Sequence, residues 1–568
     1  MSADALSEVL NPSVVAEGEL FDSGIRRTLS RLTKIERWLI VVGLGLAAAV
    51  ELGTTIATNV ILTDMKGNVA ASQDEISWVV TVYGAAFLCV VPLTTWFVRR
   101  LGHRNYLVLS LLVYGGGAFG CFLSETLPAL LASRIVMGVG GGAFLVRAMT
   151  AITRLHAPKE RGPALLVFAL IVNSSRALVP VLFGAVTDNT RWNYAFLALV
   201  PLTLLAAILL YKIIPRRLEF EPDPPPIDFF TVSLIVVGLT TFQVAMSRGE
   251  QDMWLESPLI CSMLVIAVVC LVLFVWWDSR RENPNPVLNL RLLSRESALA
   301  SGTLVAVIFG VLLSASLFVL PQYLRGVQGY NATQAAFFFC VDASATFVGL
   351  AFAAKFAPKF SPQVVVLLGL SIFAIANHLL TLQLTPDTPA LNLYLIVVLH
   401  GASLGMQIPA VSGMLLGKSN PRYLAFDMAI YYHLRGVGSV LGVSAAAAML
   451  DIRESVHSSR LLDVAGRLNP DVRRLVAGLG HVLHAKGLPA STAELGSYQI
   501  FQGLVARQTL TLAYIDIFWC FQMLALAGIV LVLVLWPNAR GAASAVVRRV
   551  FVLAFKGVRR SLAVASSQ

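Results

Sequence analysis

Fourteen separate apolar stretches, each long enough for one bilayer crossing, fill the chain between Glu36 and Pro537. A hydrocarbon core about 30 Å thick needs about 20 apolar residues in a helix. Lipid offers no partner for unpaired backbone groups, so such stretches must be helical. The sequence therefore predicts an all-α polytopic membrane protein and excludes a soluble globular domain. Spans 1 to 14 are predicted to begin near residues 37, 76, 104, 126, 162, 192, 227, 255, 298, 330, 361, 389, 422 and 512.

Basic residues collect in every second loop, and this alternation predicts which side each loop faces. Loops on the cytoplasmic side carry the excess of Lys and Arg, and an even number of spans puts both termini on one side. Both termini are therefore predicted to be cytoplasmic. The net charge of +11 then reflects topology and needs no nucleic-acid partner. The basic loops include Arg26, Arg27, Arg31, Lys34, Arg99, Arg100, Arg104, Arg154, Lys159, Arg161, Lys212, Arg216, Arg217, Arg280, Arg281, Lys355, Lys359, Lys418, Arg422, Arg548 and Arg549.

The spans group as six, two and six, because charged, proline-containing breaks follow span 6 and span 8. Two six-helix bundles around a midplane site are a known transporter architecture, and here an extra helix pair is inserted between them. The predicted segments are a cytoplasmic tail (1–36), a six-helix bundle (37–214), a linker with two extra transmembrane helices (215–296), a second six-helix bundle (297–540) and a cytoplasmic tail (541–568).

The loop between spans 13 and 14, residues 451–511, is unusually long and is predicted to be extracytoplasmic. We expect a small helical hairpin there, with Val472–Lys486 helical and with Pro470 and Gly487 as its limits. The dispersed positions of His457, His481 and His484 favour ordinary loop histidines over a metal site. All six cysteines fall inside spans without a CxxC pair, and no metal or cofactor is predicted.

Six segments along the chain form a recognisable pattern: LGTTIATNV (Leu52–Val60), WVVTVY (Trp78–Tyr83), WFVRRLGHR (Trp96–Arg104), SRIVMGVGGG (Ser133–Gly142), WNYAF (Trp192–Phe196) and RGVGSVLG (Arg435–Gly442). In their order and placement they resemble the fourteen-span drug/proton antiporters of the major facilitator superfamily, the EmrB-like group. The resemblance implies a major facilitator fold, inward proton flow driving outward movement of amphipathic small molecules, and a place in a bacterial inner membrane. In a Gram-negative host it also implies a periplasmic adaptor protein and an outer-membrane channel as partners.

The chain departs from the family pattern at three places. The acidic position of span 1 falls at Gly53, and the nearest carboxylate, Glu51, lies about 200° around the helix. Arg99 stands at the aspartate position of the loop between spans 2 and 3. In span 5 the glycine-proline motif survives only as Pro180 and Gly184, so helix packing through small residues is expected to be altered there.

Charged residues inside spans are costly and are functional candidates by default. Glu51, Arg134 and Asp342 are the proton-coupling candidates, since a buried carboxyl can take and release a proton near physiological pH. The resemblance links the position of Arg134 to proton coupling. For Glu51 the alternative is a structural ion pair with an arginine of span 4 or span 5.

Arg147 and Arg176 are predicted to reach the substrate cavity, together with Asn59 and Gln407. Two cavity arginines suit acidic amphiphiles such as fatty acids, unless they lie at an interface or Glu51 and Asp188 neutralise them. The gating-loop candidates are Arg99, Arg100, Gly102 and Arg104, and the packing or hinge candidates are Gly138, Gly142, Pro180 and Gly184. The remaining charged or titratable residues in spans are Asp427, Arg435, Asp516, His378, His400 and His433, for which helix contacts are the simpler interpretation.

The function predicted from these residues is proton-coupled export of amphipathic small molecules by alternating access. The first alternative is a dedicated exporter of an acidic metabolite, a fatty acid or a siderophore. A membrane-embedded enzyme is a weaker alternative, because no cluster of nucleophile, base or metal ligands is found at one depth. The glycine run at 138–142 has no preceding strand and no G-K-[ST], so an ATP-driven pump is not indicated.

Overall fold

A computed structural model describes residues 32–69, 71, 73–156, 158–214, 228–249, 252–280, 287–288, 290, 297–416, 424–464 and 469–536. Residues 1–31 of the predicted N-terminal tail (1–36) and the whole predicted C-terminal tail (541–568) lie outside the described residues. So do the proline-rich break at 215–227 and the basic positions Arg281, Lys418 and Arg422.

The described residues form eighteen α-helices and two short 3₁₀ turns, Val91–Leu93 and Trp254–Glu256. In chain order the helices are α1 (Lys34–Asn68), α2 (Gln73–Val90), α3 (Thr94–Leu101), α4 (His103–Leu123), α5 (Leu127–Gly141), α6 (Phe144–Leu155), α7 (Pro158–Asn189), α8 (Trp192–Leu197), α9 (Leu199–Ile213), α10 (Phe229–Arg248), α11 (Pro258–Asp278), α12 (Ser297–Gly326), α13 (Ala332–Phe360), α14 (Pro362–Gln383), α15 (Ala390–Leu416), α16 (Leu424–Val464), α17 (Pro470–Ala485) and α18 (Ala490–Leu535). Predicted span 2 comprises α2 and α3, span 4 comprises α5 and α6, and span 6 comprises α8 and α9.

Thirteen helical stretches within the described residues are long and apolar enough to cross a bilayer. The stretch predicted as span 2 is shorter, an apolar helical segment over Trp78–Leu93. Helix starts follow local signals: α1, for example, begins with a capping box in which Thr33 and Glu36 satisfy each other's backbone N–H groups.

The helices form two bundles with matching internal contacts. In the N-terminal bundle α1 packs on α7, α2 on α5, and α4 on α9; in the C-terminal bundle α12 packs on α16, α13 on α15, and α14 on α18. These three pairings occupy equivalent positions in the two halves, as expected for a pseudo-symmetric repeat. The two bundles meet mainly along α7 and α13, with a smaller contact between α1 and α12.

The inserted pair α10 and α11 packs on the side of the molecule away from the α7–α13 seam. Helix α10 contacts both α2 and α16, and Cys89 of α2 lies 3.6 Å from the Thr240 hydroxyl. Helix α11 covers α10 closely at Gly238, where an added Cβ would lie 3.1 Å from Cys270 and Leu271. The outer face of α11 exposes aliphatic side chains, which suits contact with lipid.

A helical hairpin stands at one end of the molecule, called the hairpin end; the opposite end, with the loop Trp96–Arg104, is called the basic end. The predicted helix within the long loop is confirmed as α17, which packs on the first turns of α18. The predicted limits of spans 13 and 14, at 451 and 512, are wrong for the helices themselves. α16 runs on to Val464 and α18 begins at Ala490, because no proline interrupts either extension.

The two bundles are fastened together at the hairpin end. Arg325 of α12 pairs with Asp64 of α1 at 2.8 Å and also donates to the Val60 carbonyl. Asp188 of α7 accepts hydrogen bonds from the backbone N–H and the hydroxyl of Thr333 at the start of α13. Between these contacts lies an apolar cluster built from both bundles: Ile56, Val60, Leu317, Ala332 and Phe339.

Candidate functional site

Glu51 lies near the middle of α1, and only 8% of its surface is exposed. The Tyr83 hydroxyl of α2 donates a hydrogen bond to Glu51 Oε1 at 2.8 Å, and Thr55 donates to the same oxygen at 3.4 Å. Gly141 of α5 leaves room for both side chains, since an added Cβ would lie 3.2 Å from Glu51 Cγ. The buried carboxyl is thus held by neutral donors.

Arg134 of α5 is 1% exposed and reaches Glu51 through Tyr83. Its guanidinium lies over the Tyr83 ring, 4.3 Å from the centroid, and its Nε donates to the Val79 carbonyl at 3.2 Å. Within the described part of the chain no arginine lies within ion-pair distance of Glu51. The structural alternative predicted for Glu51, a direct ion pair with span 4 or 5, is therefore wrong. The indirect contact arises because the tyrosine ring stands between the acid and the base.

Arg435 brings a cation of the C-terminal bundle toward the same acid. Its guanidinium lies 5.1 Å from the centroid of Tyr432, one turn earlier on α16. The positive charges of Arg435 and Arg134 both attract the Glu51 carboxylate. The Arg435 Nε is buried and has no hydrogen-bond partner among the described residues. Glu51 therefore experiences the positive electrostatic potential of one arginine from each bundle.

A second cluster joins the bundles at the α7–α13 seam. Arg176 of α7 forms an ion pair with Asp342 of α13 through Nη2 and Oδ2. The other carboxylate oxygen, Oδ1, lies 2.8 Å from His400 Nδ1 on α15. Asn173 of α7 donates to the Ala343 carbonyl at 3.0 Å, and Arg176 lies 3.4 Å from the Thr346 hydroxyl. Both charged partners are almost completely buried.

The expectation of a cavity with two uncompensated arginines does not fit this geometry. Arg176 is neutralised by Asp342, which was considered only as a separate proton site. Asp188, expected as a neutralising acid, is instead bound to Thr333 at the hairpin end. Arg147 is buried in α6.

The other two cavity candidates occupy different surroundings. Asn59 lies two turns after Glu51 on the same face of α1, and its Oδ1 is buried with no hydrogen-bond partner within the described ranges. Gln407 of α15 packs inside the C-terminal bundle: an added Cβ at Gly369 of α14 would lie 2.7 Å from its Cγ. Its amide donates to the Ser403 carbonyl at 3.4 Å.

The glycines of α5 bring three helices close to Glu51. Gly138 and Gly142 face α2, where added Cβ atoms would meet the Tyr83 and Phe87 carbonyls at 2.5 and 2.8 Å. Gly140 faces α4 at a similarly short distance from Tyr114. The packing role predicted for Gly138 and Gly142 thus has a direct geometric basis, because side chains there would push α2 away from α5.

Pro180 and Gly184 lie on α7. An added Cβ at Gly184 would lie 2.9 Å from the backbone of Ala332 and Thr333, so this glycine sits at the seam with the C-terminal bundle. Pro180 lies inside the helix one turn earlier.

The gating-loop candidates form a tight corner at the basic end. Gly102 alone connects α3 and α4 with φ of 78°, a conformation that favours glycine. Arg104 places its guanidinium 4.6 Å from the centroid of the Tyr211 ring on α9. Arg99 and Arg100 lie in the last turn of α3, and Arg100 is exposed.

Tyr83 and Asn173 were not predicted as site residues. Tyr83 lies inside the segment WVVTVY. Its role as a partner of Glu51 depends on where α1 and α2 cross, which the sequence does not show. Asn173 precedes Arg176 by one helical turn, so a polar stripe on α7 was a usable signal. His400 was noted only as one of several histidines near spans; its contact with Asp342 depends on how α13 packs on α15.

Comparison with known proteins places these clusters in a family. The Major Facilitator Superfamily model matches residues 43–443. The multidrug export protein EmrB of Haemophilus influenzae is 24% identical over 504 residues, which cover 88% of this chain and 95% of the relative. The probable multidrug resistance protein EmrY of Escherichia coli is 24% identical over 78% of this chain and 86% of its own length. The fatty acid resistance protein FarB of Neisseria gonorrhoeae is 23% identical, with coverage of 75% and 83%.

Solved structures agree on the fold. The human organic anion transporter MFSD10 aligns with a TM-score of 0.56 at 13% identity, over 88% of this chain and all of that one. The proton:xylose symporter XylE aligns with a TM-score of 0.54 at 15% identity, with coverage of 74% and 90%. These likenesses and the helix pairing confirm the predicted fold. The chain is a multi-pass membrane transporter, related to bacterial inner-membrane exporters, and it belongs to the Major Facilitator Superfamily.

Proposed function

We propose that this transporter is a proton-coupled exporter of amphipathic small molecules, including drugs, working by antiport and alternating access. The single observation that carries the proposal is the position of Glu51. This buried acid of the N-terminal bundle is held by Tyr83, and Arg435 of the opposite bundle attracts it. A proton that binds Glu51 removes the charge that attracts Arg435, so protonation changes the free energy of contact between the bundles.

Export of this kind is supported by the similarity to EmrB and EmrY, whose names describe multidrug export and resistance. The contacts at the hairpin end close one side of the transporter. We propose that this side faces outward and that both termini are cytoplasmic, as the basic loops predict. The structure then corresponds to a state closed toward the outside.

The test is substrate-driven proton release from vesicles containing purified protein, with a panel of cationic and acidic amphiphiles. Glu51→Gln keeps the size of the side chain and removes its titration, so it should abolish substrate-driven proton movement while the protein stays folded. Glu494→Gln alters an exposed carboxylate of α18 and serves as the matched control. Full transport with unchanged proton movement in Glu51→Gln contradicts the proposal.

A dedicated exporter of an acidic metabolite, a fatty acid or a siderophore is the second candidate. The name of the FarB relative, a fatty acid resistance protein, favours it, as does the unsatisfied Nε of Arg435. The pairing of Arg176 with Asp342 weighs against it. Competition of transport by acidic but not by cationic amphiphiles supports this candidate, and the reverse selectivity dismisses it.

The hairpin of α17 and the start of α18 is proposed as a docking surface for a periplasmic adaptor, which an outer-membrane channel would follow in a Gram-negative host. This rests on the resemblance and on the projection of α16 and α18 beyond the apolar spans. Deletion of 472–486 should abolish cross-linking to an adaptor. Recovery of the cross-linked complex from the deletion variant removes the proposal.

A further inference from the structure

We propose that His400 is a positioning residue that relays protons to Asp342 and thereby controls the attachment of α7 to α13. The inference rests on the proposed proton-coupled function. It adds a second protonation site at the seam between the bundles and names the residue through which the proton arrives.

The geometry gives each oxygen of one carboxylate a different partner. Oδ2 of Asp342 binds Arg176 from the N-terminal bundle, and Oδ1 binds His400 from its own bundle. A carboxylate only accepts hydrogen bonds, so His400 Nδ1 must carry the hydrogen it donates at 2.8 Å. In the proposed resting state the ring is neutral, so Nε2 carries no hydrogen and is an acceptor.

His400 Nε2 is the atom of this cluster that lacks a hydrogen-bond partner. It is buried and makes no hydrogen bond within the described residues. The imidazole is held in place by the ring of Phe373 on α14, with 5.3 Å between centroids. A buried acceptor with no donor is costly to maintain, and its unshared lone pair is the place in this cluster where a proton can bind.

The relay step conserves charge and hydrogen. A proton binds Nε2, and the Nδ1–H bond breaks as its hydrogen passes to Asp342 Oδ1. The products are a neutral imidazole with hydrogen on Nε2 and a neutral carboxylic acid. The reverse sequence returns the proton to the side from which Nε2 is reached.

Protonation of Asp342 leaves Arg176 as a buried cation without its counter-ion, a state that is strongly unfavourable. Because Arg176 belongs to α7 and Asp342 to α13, that cost is relieved when the seam separates and water reaches the guanidinium. The neighbouring contacts, Asn173 to the Ala343 carbonyl and Arg176 to Thr346, are polar and can also be replaced by water.

Among the described residues, two ionisable side chains are bonded to the Asp342 carboxylate: Arg176 from α7 and His400 from α15. Helix α14 contributes the apolar Phe373 ring beside His400, and α13 itself contributes Thr346, whose hydroxyl binds the Asp342 carbonyl at 2.8 Å. Asp188 of α7, which accepts from Thr333 of α13, is another carboxylate at this contact, so the Asp342→Asn and His400→Asn variants are needed to assign the pH response.

The experiment measures the α7–α13 distance directly, with spin labels at Leu182→Cys and Phe337→Cys. Both positions are exposed on the apolar surface. The background replaces the six native cysteines by serine: Cys89, Cys121, Cys261, Cys270, Cys340 and Cys520. The full-length chain in lipid vesicles should show a short distance at high pH and a longer one at low pH. A distance independent of pH overturns the proposal.

Two variants separate the relay from a structural role. Asp342→Asn mimics the protonated acid and should hold the longer distance at every pH. His400→Asn keeps an N–H donor near the Nδ1 position but cannot pass a proton, so it should hold the short distance at every pH. A normal pH response in His400→Asn overturns the relay; should that variant not fold, His400→Gln replaces it with the same expected result.

Failure of the proposed function gives a different pattern. Glu51→Gln removes none of the contacts around Asp342 and should retain the pH-dependent change in distance even though it loses substrate-driven proton release. If the Glu51→Gln protein transports normally and its α7–α13 distance still changes with pH, coupling at Glu51 is refuted and the relay stands. A seam that does not respond, with coupling intact at Glu51, refutes the relay alone.

Discussion

Tyr83 donates its hydroxyl hydrogen to Glu51 across 2.8 Å while its ring lies 4.3 Å beneath the guanidinium of Arg134. One side chain thus links the buried acid of α1 to the buried base of α5. A direct ion pair would fix the carboxylate in its charged form, whereas a neutral donor tolerates both protonation states. This arrangement suits an acid that must gain and lose a proton during a transport cycle.

Tyr83→Phe removes the hydroxyl and keeps the ring. The Arg134 contact should survive, and the lost hydrogen bond should cost about 1 kcal/mol of stability. Because Glu51 then loses its nearest donor, we expect substrate-driven proton release to fall and its pH profile to move. Stopped-flow measurement of proton release across a pH series checks this.

The matched control for this prediction is Tyr106→Phe, which removes a buried hydroxyl of α4 that does not bond to Glu51. It should leave the pH profile in place. An unchanged profile in Tyr83→Phe would separate this tyrosine from proton coupling.

The fold was predictable because its signals are long and local. Each span is an apolar run bounded by charged or proline-containing breaks. The alternation of basic loops predicts the direction in which each run crosses the membrane without tertiary information. The limits of spans 13 and 14 were not predictable in the same way. The residues after Asp451 and before Thr511 are amphipathic, so hydropathy alone ends the spans there although no proline interrupts either helix.

The candidate site was predictable only in part, since residue type identifies a buried charge but not its partner. Glu51, Arg134, Arg176 and Asp342 were found because charges inside spans are rare. Which acid meets which arginine depends on how the helices rotate and cross. Arg176 and Asp342 are 166 residues apart in the chain, so their pairing could not be predicted from sequence spacing. The role of Tyr83 was hidden for the same reason.

Gly184→Ala should disturb the seam between the bundles. The added Cβ meets the backbone of Ala332 and Thr333 at 2.9 Å, and backbone cannot rotate away as a side chain can. Overpacking of this kind costs about 1–3 kcal/mol, so the contact at the hairpin end should weaken. Thermal unfolding and the spacing of labels on α7 and α13 measure the effect.

Gly162→Ala provides the comparison within the same helix. No atom lies within 4 Å of the added Cβ at that position, so the change should be neutral or slightly stabilising through helix propensity. Equal destabilisation by the two substitutions would show that the effect at Gly184 comes from the helix itself and not from the seam.

Charge exchange tests the fastening between α1 and α12. Asp64→Arg or Arg325→Asp alone places like charges opposite each other and should open the hairpin end. The double exchange should restore part of the closure, since the ion pair is re-formed but the bond from Arg325 to the Val60 carbonyl is not. A partly exposed pair contributes about 1 kcal/mol at most.

The readout for this exchange is the labelling rate of Asn59→Cys, in the cysteine-free chain, by a membrane-impermeant thiol reagent added on the hairpin side. Asn59 lies just inside the closure, so labelling should be fast in each single variant and slower in the double variant. Equal rates in all three variants would mean that the pair does not hold this end closed.

Arg507 holds the base of the hairpin to the C-terminal bundle. Its Nε donates to the Val327 carbonyl at 2.7 Å, its Nη2 donates to the Pro386 carbonyl at 2.5 Å, and Asp387 lies 3.0 Å away. One side chain on α18 thereby ties down the loop after α12 and the loop after α14. Arg507→Ala leaves two loop carbonyls without this donor, and both loops should become more mobile.

Hydrogen exchange measures that mobility: amides in residues 326–331 and 384–389 should exchange faster in Arg507→Ala, while those in α7 should not change. The control is Arg474→Ala on α17, whose guanidinium is exposed and binds only the neighbouring Asp471 in the described hairpin. Since a surface pair of this kind contributes little, its exchange pattern should match the parent chain. Faster exchange in both variants would mean that the hairpin loosens as a whole. Faster exchange in neither would mean that Arg507 does not hold the loops and that the bundle carries the hairpin by apolar packing of α18 on α14.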